Sequence, residues 1–457
     1  METSVIEKNI FLQKSISEIT ESLRNNLITP LEIAEACIKR IEEYNEKYKV
    51  WIIYDKKILF DQAEKITERL NTGCNIRKLE GIPVGIKDIF NTYDFPTQMG
   101  SPLWQNFTSG NDSRIIFYLK QQGSIIPGKT DTAEFAVHEI GNCLNPHDIT
   151  RTPGTSSSGS AVAVALGMVP AAIGTQTAGS IVRPASFCGV YGCKPSFGLI
   201  PRTGMLKTTD SLDTVGFFTS RYEDLETVFH VVRVHGSNYP FSHNALTDEQ
   251  RQNKPSERKW RVAFAKTHTW DFAPEYAKKA IEELVNKISL TDDIEIEEAK
   301  LPEITKQSHE VHQMIYDKTL SYYFQEEFKK PEFISPVMNE IFERGNKITV
   351  DQYHTSLKDQ EKIAFAMEEY FKDVDIVISL SSAGAAPLRN ENEKPDPSLM
   401  WTLSHLPVIS CPVFVSPDGL PFGIQITARK YNDLLLFRFT DHIRKNGLIP
   451  EGVNPIL

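Results

Sequence analysis

Apolar positions along this chain follow two rhythms that alternate from one segment to the next. Ile33, Cys37, Ile38 and Ile41 share one face of a helix, and Thr29-Pro30-Leu31-Glu32 ahead of them is a capping-box start with proline at the first helical position. Short apolar runs at Val84 to Ile86, Ile125 to Ile126, Val262 to Ala265, Ile376 to Leu380 and Ile424 to Ile426 read as strands. Residues 260 to 298 predict a strand, a helix from Pro274 to Lys287 and a second strand, IEIEE, together a βαβ unit. A polar linker at about 235 to 259 leads into it. An amphipathic helix, HEVHQMIYDKTLSYYF, and the aromatic stretch YYFQEEF (322 to 328), also read as helical, follow it. Helix and strand alternating in this way place the chain in the α/β class.

Two stretches interrupt the pattern and carry chemistry. In GIPVGIKD (81 to 88), Lys87 ends an apolar run, where a lysine is unusual unless paired or deprotonated. Asp88 is adjacent, but neighbours on a strand point to opposite faces, which favours a neutral Lys87. Lowering its pKa from ~10.4 to near 7 costs roughly 4 kcal/mol and calls for an apolar, hydroxyl-lined site. The second stretch opens with GTSSSGSAVAVALG (154 to 167), a hydroxyl-rich loop feeding a buried helix. It continues in AAIGTQTAGS (171 to 180), where Gly174 and Gly179 are predicted to turn the backbone and present consecutive N–H groups to one point, as an oxyanion hole requires. Ser156 and Ser180 are 180 − 156 = 24 residues apart, enough for a helix and a return segment to bring them together. A Gly/Ser-rich loop alone is more often a connector. The lysine turns the reading toward acyl transfer without histidine.

The lysine segment, the serine-rich loop and the turn running into RPASFCGVYGCKPSFG together resemble the amidase signature family. GKTDTAEFA (128 to 136), NPHD (145 to 148), SLDTVG (211 to 216) and GLPFGIQI (419 to 426) extend the resemblance, which covers about residues 10 to 230 and 375 to 445. The resemblance implies a single α/β domain over residues 1 to 457, with a mixed twisted β-sheet of about eleven strands flanked by helices on both faces. A signature core at about 60 to 230 and 375 to 445 would frame a variable, substrate-side region at about 235 to 370. Carried over by position, the family's catalytic lysine falls on Lys87, its bridging serine, held by a cis peptide, on Ser156, and its nucleophile on Ser180. The implied oxyanion donors are the N–H groups of Thr177, Ala178, Gly179 and Ser180. The implied reaction is amide hydrolysis through an acyl-enzyme, with no metal and no organic cofactor.

Departures from the family pattern fall at Thr155, where glycine is usual, at Gln176 and Ala178, which replace Asp and Gly, and at Arg183, one residue later than common. They count against equating the chain with the glutamine-hydrolysing component of the tRNA-dependent amidotransferases. Arg183 reads either as a brace for the loop or as a cationic contact for an acidic substrate. Residues 300 to 345, with Tyr316, Tyr322, Tyr323 and Phe324, are expected to wall the substrate pocket together with Trp401 and Thr402. An acyltransferase or amide-forming enzyme of the same fold remains an alternative. In a different class, GSIIPGKT (123 to 130) has Walker A spacing for a nucleotide-dependent enzyme or binding protein, although Pro127 removes a loop N–H. His309 and His312 form an H-x-x-H read as core or pocket-facing rather than metal-ligating.

A net charge of −10 without a basic stripe excludes nucleic acid and anionic membrane as partners and leaves a small-molecule amide, with a homodimer left open. METSVIEKNIFLQKS lacks the apolar core of a secretory signal, and no apolar run approaches ~18 residues, so a cytoplasmic protein is expected. Its six cysteines, without C-x-x-C, read as buried small hydrophobes.

Overall fold

The computed structural model describes residues 9–453. Its strands are β1 (Trp51–Tyr54), β2 (Val84–Lys87), β3 (Gly128–Thr130), β4 (Ala171–Gln176), β5 (Tyr191–Lys194), β6 (Thr214–Thr219), β7 (Trp260–Phe264), β8 (Ile294–Glu298), β9 (Ile376–Leu380), β10 (Val408–Val415) and β11 (Pro421–Ala428). All eleven form one mixed sheet in the order β1-β3-β2-β4-β6-β5-β10-β11-β9-β7-β8. Every residue of β4, β6 and β9 is buried, so helices cover both faces of a single large α/β domain. The Pro30–Tyr48 helix begins with the expected capping box between Thr29 and Glu32. The βαβ unit is present too: β7 and β8 are parallel, joined through the Glu275–Ser289 helix, with Pro274 as its N-cap.

Several expectations fail for local reasons. Ile125 makes only an isolated bridge to Pro83, because Pro127 follows with no N–H to extend the ladder; the strand is β3, two residues further on. Gly174 is no turn but lies inside β4, where a β-carbon would sit 2.8 Å from Ser157 Oγ. Within the predicted linker at 235 to 259 lie two helices, Pro240–Thr247 and Glu249–Gln252. The Ser308–Tyr323 helix stops inside YYFQEEF, and only a 3-10 turn, Glu327–Lys329, follows.

Strand direction positions the site. Adjacent, parallel β2 and β4 bring their last residues, Lys87 and Gln176, out at the same end of the sheet. Antiparallel β6 starts at that end, which places Asp213 beside them.

Candidate active site

Lys87 is fully buried at the end of β2. Its Nζ lies 2.7 Å from Ser156 Oγ, 3.0 Å from Ser157 Oγ and 2.9 Å from Thr175 Oγ1. Burial holds its pKa down to about 7, with the charge of Asp213 acting in the opposite direction. Ser157 Oγ donates its proton to Thr175 O at 3.1 Å, so toward Lys87 it can only accept. A neutral amine therefore has its lone pair left for the hydroxyl of Ser156 or Thr175. Asp88 faces the other way and pairs at 2.9 Å with Lys129, both side chains fully buried. That pair removes the nucleotide alternative: Lys129, the would-be phosphate lysine of GSIIPGKT, also donates to Pro96 O and Thr97 Oγ1.

The surrounding motifs hold the serines. The Thr155–Ser156 peptide is cis, as the resemblance implied. Ser156 O accepts from Thr132 Oγ1 and Ala133 N, and Ser158 Oγ bonds Asp131 Oδ2 at 3.1 Å, so GKTDTAEFA braces the start of the buried Ser158–Ala165 helix. From NPHD, Asn145 Nδ2 ties Thr152 O to Phe187 O. Gln176 Oε1 accepts from Ile181 N and Val182 N while its Nε2 donates to Thr402 Oγ1 at 2.9 Å. A carboxylate at that position could not donate.

Between β4 and the Val182–Cys188 helix, the N–H groups of Thr177, Ala178, Gly179 and Ser180 donate to no acceptor among the described residues. Ser180 opens onto a cavity of about 710 Å³ that Arg183, His138, His309, His312 and Tyr316 also line. Lys87 is thus joined directly to Ser156, whereas Ser180 Oγ makes no hydrogen bond to either among the described residues.

Of the residues expected at the pocket, Arg183 and Tyr316 reach it. Arg183 is held between Glu393 Oε2 at 2.9 Å and Asp396 Oδ2 at 3.2 Å and donates to Thr155 O, the geometry of a brace. Trp401 does not reach the cavity; its helix, Leu399–Leu403, touches the cavity only through Leu399, and Trp401 is fully buried against Val182, Met400 and Val408. Thr402 lies behind the turn at 177 to 180, donating to Ala178 O. Tyr322 is exposed, Tyr323 bonds Asp210 and Phe324 packs on Phe135, so none of the three is a wall. Sequence reading missed Asp213, whose Oδ1 accepts from Thr177 Oγ1 at 2.9 Å, and the 389–396 loop along the cavity; an acid immediately before an apolar strand in SLDTVG was the available signal for the first.

The sequence pattern of the Amidase family matches residues 32–437. This chain belongs to that family. The match runs through 235 to 370, where the sequence carries no familiar motif. The chain is 29% identical over 463 residues to the A subunit of glutamyl-tRNA(Gln) amidotransferase from Sulfurihydrogenibium sp., spanning 92% of this chain and 94% of the relative. The peptide amidase of Stenotrophomonas maltophilia has the same fold, with a TM-score of 0.82 at 19% identity over 97% of this chain and 99% of that one. So does 6-aminohexanoate cyclic dimer hydrolase in complex with its substrate, with a TM-score of 0.81 at 21% identity over 96% of this chain and 98% of that one. Amide C–N hydrolysis is the general chemistry of such a chain. Among the described residues no helix is long and apolar enough to cross a membrane.

Proposed function

We propose that the protein hydrolyses a linear carboxylic amide through an acyl-enzyme on Ser180. Ser156 Oγ takes the Ser180 proton as its own passes to neutral Lys87, and Ser180 Oγ bonds to the amide carbon. Negative charge on the carbonyl oxygen meets the free N–H groups of residues 177 to 180. The proton on Lys87 then returns through Ser156 to the amide nitrogen, the C–N bond breaks and the amine leaves. Water enters by the same relay, and the carboxylic acid departs with Ser180 restored. The observation that carries this reading is Lys87, fully buried and 2.7 Å from Ser156 Oγ in a pocket of hydroxyls. Arg183 keeps the loop in place, its charge already met by two carboxylates.

A serine-directed fluorophosphonate followed by peptide mass mapping tests the assignment. The expected result is a single adduct on Ser180, with turnover lost in Ser180→Ala and labelling lost with it. An adduct elsewhere, or an active Ser180→Ala, would overturn it. A second reading, transfer of the acyl group to another amine, follows from the same acyl-enzyme. Adding a good amine nucleophile during turnover separates the two by the ratio of new amide to free acid.

A further inference from the structure

Three consecutive peptide units join Thr177 to Ser180, and each is held by its carbonyl. Thr177 O accepts from His312 Nε2 at 2.8 Å, Ala178 O from Thr402 Oγ1 at 2.7 Å and Gly179 O from Arg183 N at 2.9 Å. The N–H groups of the same three units belong to Ala178, Gly179 and Ser180, which donate to no described residue. In a planar trans peptide the C=O and N–H point in opposite directions, so fixing the oxygen also aims the hydrogen. A donor on the oxygen further polarises the N–H on the far side of the same unit.

The Arg183 anchor is the first turn of the helix that begins there and would form in any chain that turned at this point. The other two are side chains from distant segments. His312 sits on the Ser308–Tyr323 helix and is buried, its ring stacked on Tyr316 with centroids 5.5 Å apart and planes 23° apart. A carbonyl can only accept, so Nε2 carries the proton and the neutral tautomer is fixed. Burial keeps the imidazole pKa down at about 4, and the neutral form persists at neutral pH. Thr402 is fully buried, and its hydroxyl is oriented in turn: accepting from Gln176 Nε2, it has its proton free for Ala178 O.

We propose that His312 and Thr402 are positioning residues that aim the Ala178 and Gly179 N–H groups at the oxyanion. The helix that supplies Tyr316 to the substrate cavity thereby also sets the geometry of charge stabilisation. This rests on Ser180 as the acylated serine.

His312→Phe keeps a stacking ring and removes the donor, and His312→Gln returns an N–H. Thr402→Val removes the hydroxyl at nearly constant shape, and Thr402→Ser returns it. The Phe and Val variants should each lose about tenfold to a hundredfold in kcat with KM changed less than about threefold, since the contact matters in the transition state and not to substrate binding. Their fluorophosphonate reaction at Ser180 should slow in parallel, because the phosphoryl oxygen takes the oxyanion's place. Gln and Ser variants should recover most of both rates. Equal losses in Phe and Gln, or wild-type kcat in either donor-less variant, would overturn the proposal. Should His312→Phe fail to fold, the Thr402 pair decides alone. Labelling of a residue other than Ser180 would instead fail the acyl-enzyme reading itself.

Discussion

Lys87 must be buried enough to be neutral yet close enough to hydroxyls to exchange a proton, and its two sets of neighbours divide those tasks. The sheet removes water, while Ser156, Ser157 and Thr175 surround Nζ. With its pKa at about 7, kcat/KM should rise with pH through about 7 as the proton is lost, and that limb should vanish in Lys87→Ala. The same group links stability to pH. Its folded pKa lies below the unfolded value of 10.5, so between about 7 and 10.5 the unfolded chain holds a proton that the folded chain does not. Stability from this group therefore rises with pH across that window, and the penalty, on the order of 5 kcal/mol, is complete only below about 7. Lys87→Met should raise Tm most near pH 6, and the gain should shrink toward pH 10. Lys194, similarly depressed, is common to both proteins and cancels in the difference. A gain independent of pH would mean that Lys87 is not the depressed group. At this scale the sequence was readable where chemistry demanded scarce residue types in an apolar run, as at Lys87 and Ser156. The contacts of His312, Asp213 and Thr402 with the turn at 177 to 180 were not, because their partners lie 135, 36 and 224 residues away along the chain.

Elements were legible in proportion to how much of their shape is local. β9 matches the predicted Ile376 to Leu380 end to end, because a short apolar run interrupted only by Ser379 and buried on both faces reads as an inner strand. By contrast, a glycine within β4 looks like a turn in the sequence, and Gly174 is explained only by the approach of Ser157 and Ile181. The Leu399–Leu403 helix is the clearest misreading, since an aromatic residue near a site says nothing of which way it faces. Trp401→Ala should lower unfolding stability by about 3–5 kcal/mol, as for other large buried aromatics, and leave the ranking of amide substrates unchanged. Tyr316→Ala should reorder that ranking, because Tyr316 lines the cavity. Denaturant melts and a panel of aliphatic, aromatic and acidic amides on both variants check the contrast. A reordered panel in Trp401→Ala at wild-type stability would return that residue to the pocket.

Across the whole molecule, one hydrophobic cluster runs from Ile10 to Val453 and contains residues from both ends of the sheet, Trp51 on β1 and Trp260 on β7. The unfamiliar segment is not an appendage to this core. It supplies β7 and β8, which cover the open edge of β9, and the helix whose His312 reaches the turn before Ser180. Strand order was invisible in the sequence because pairings such as β10 with β5 join segments far apart along the chain. Tyr316, Leu320, Met338 and Ile341 of the unfamiliar segment pack in a second cluster with Phe135, and chains of this length often unfold through intermediates, so a single transition is a strong claim. Two variants, each retaining only Trp51 or only Trp260 of the five tryptophans, would report from strands about 40 Å apart across the sheet. Within each variant, fluorescence, far-UV circular dichroism and loss of amidase activity should share one denaturant midpoint. If, in the variant that keeps Trp260, fluorescence moved first while Ser180 labelling held, the segment from 235 to 370 would be a separable folding unit. The turn at 177 to 180 would then depend on a contact made across a boundary between two units.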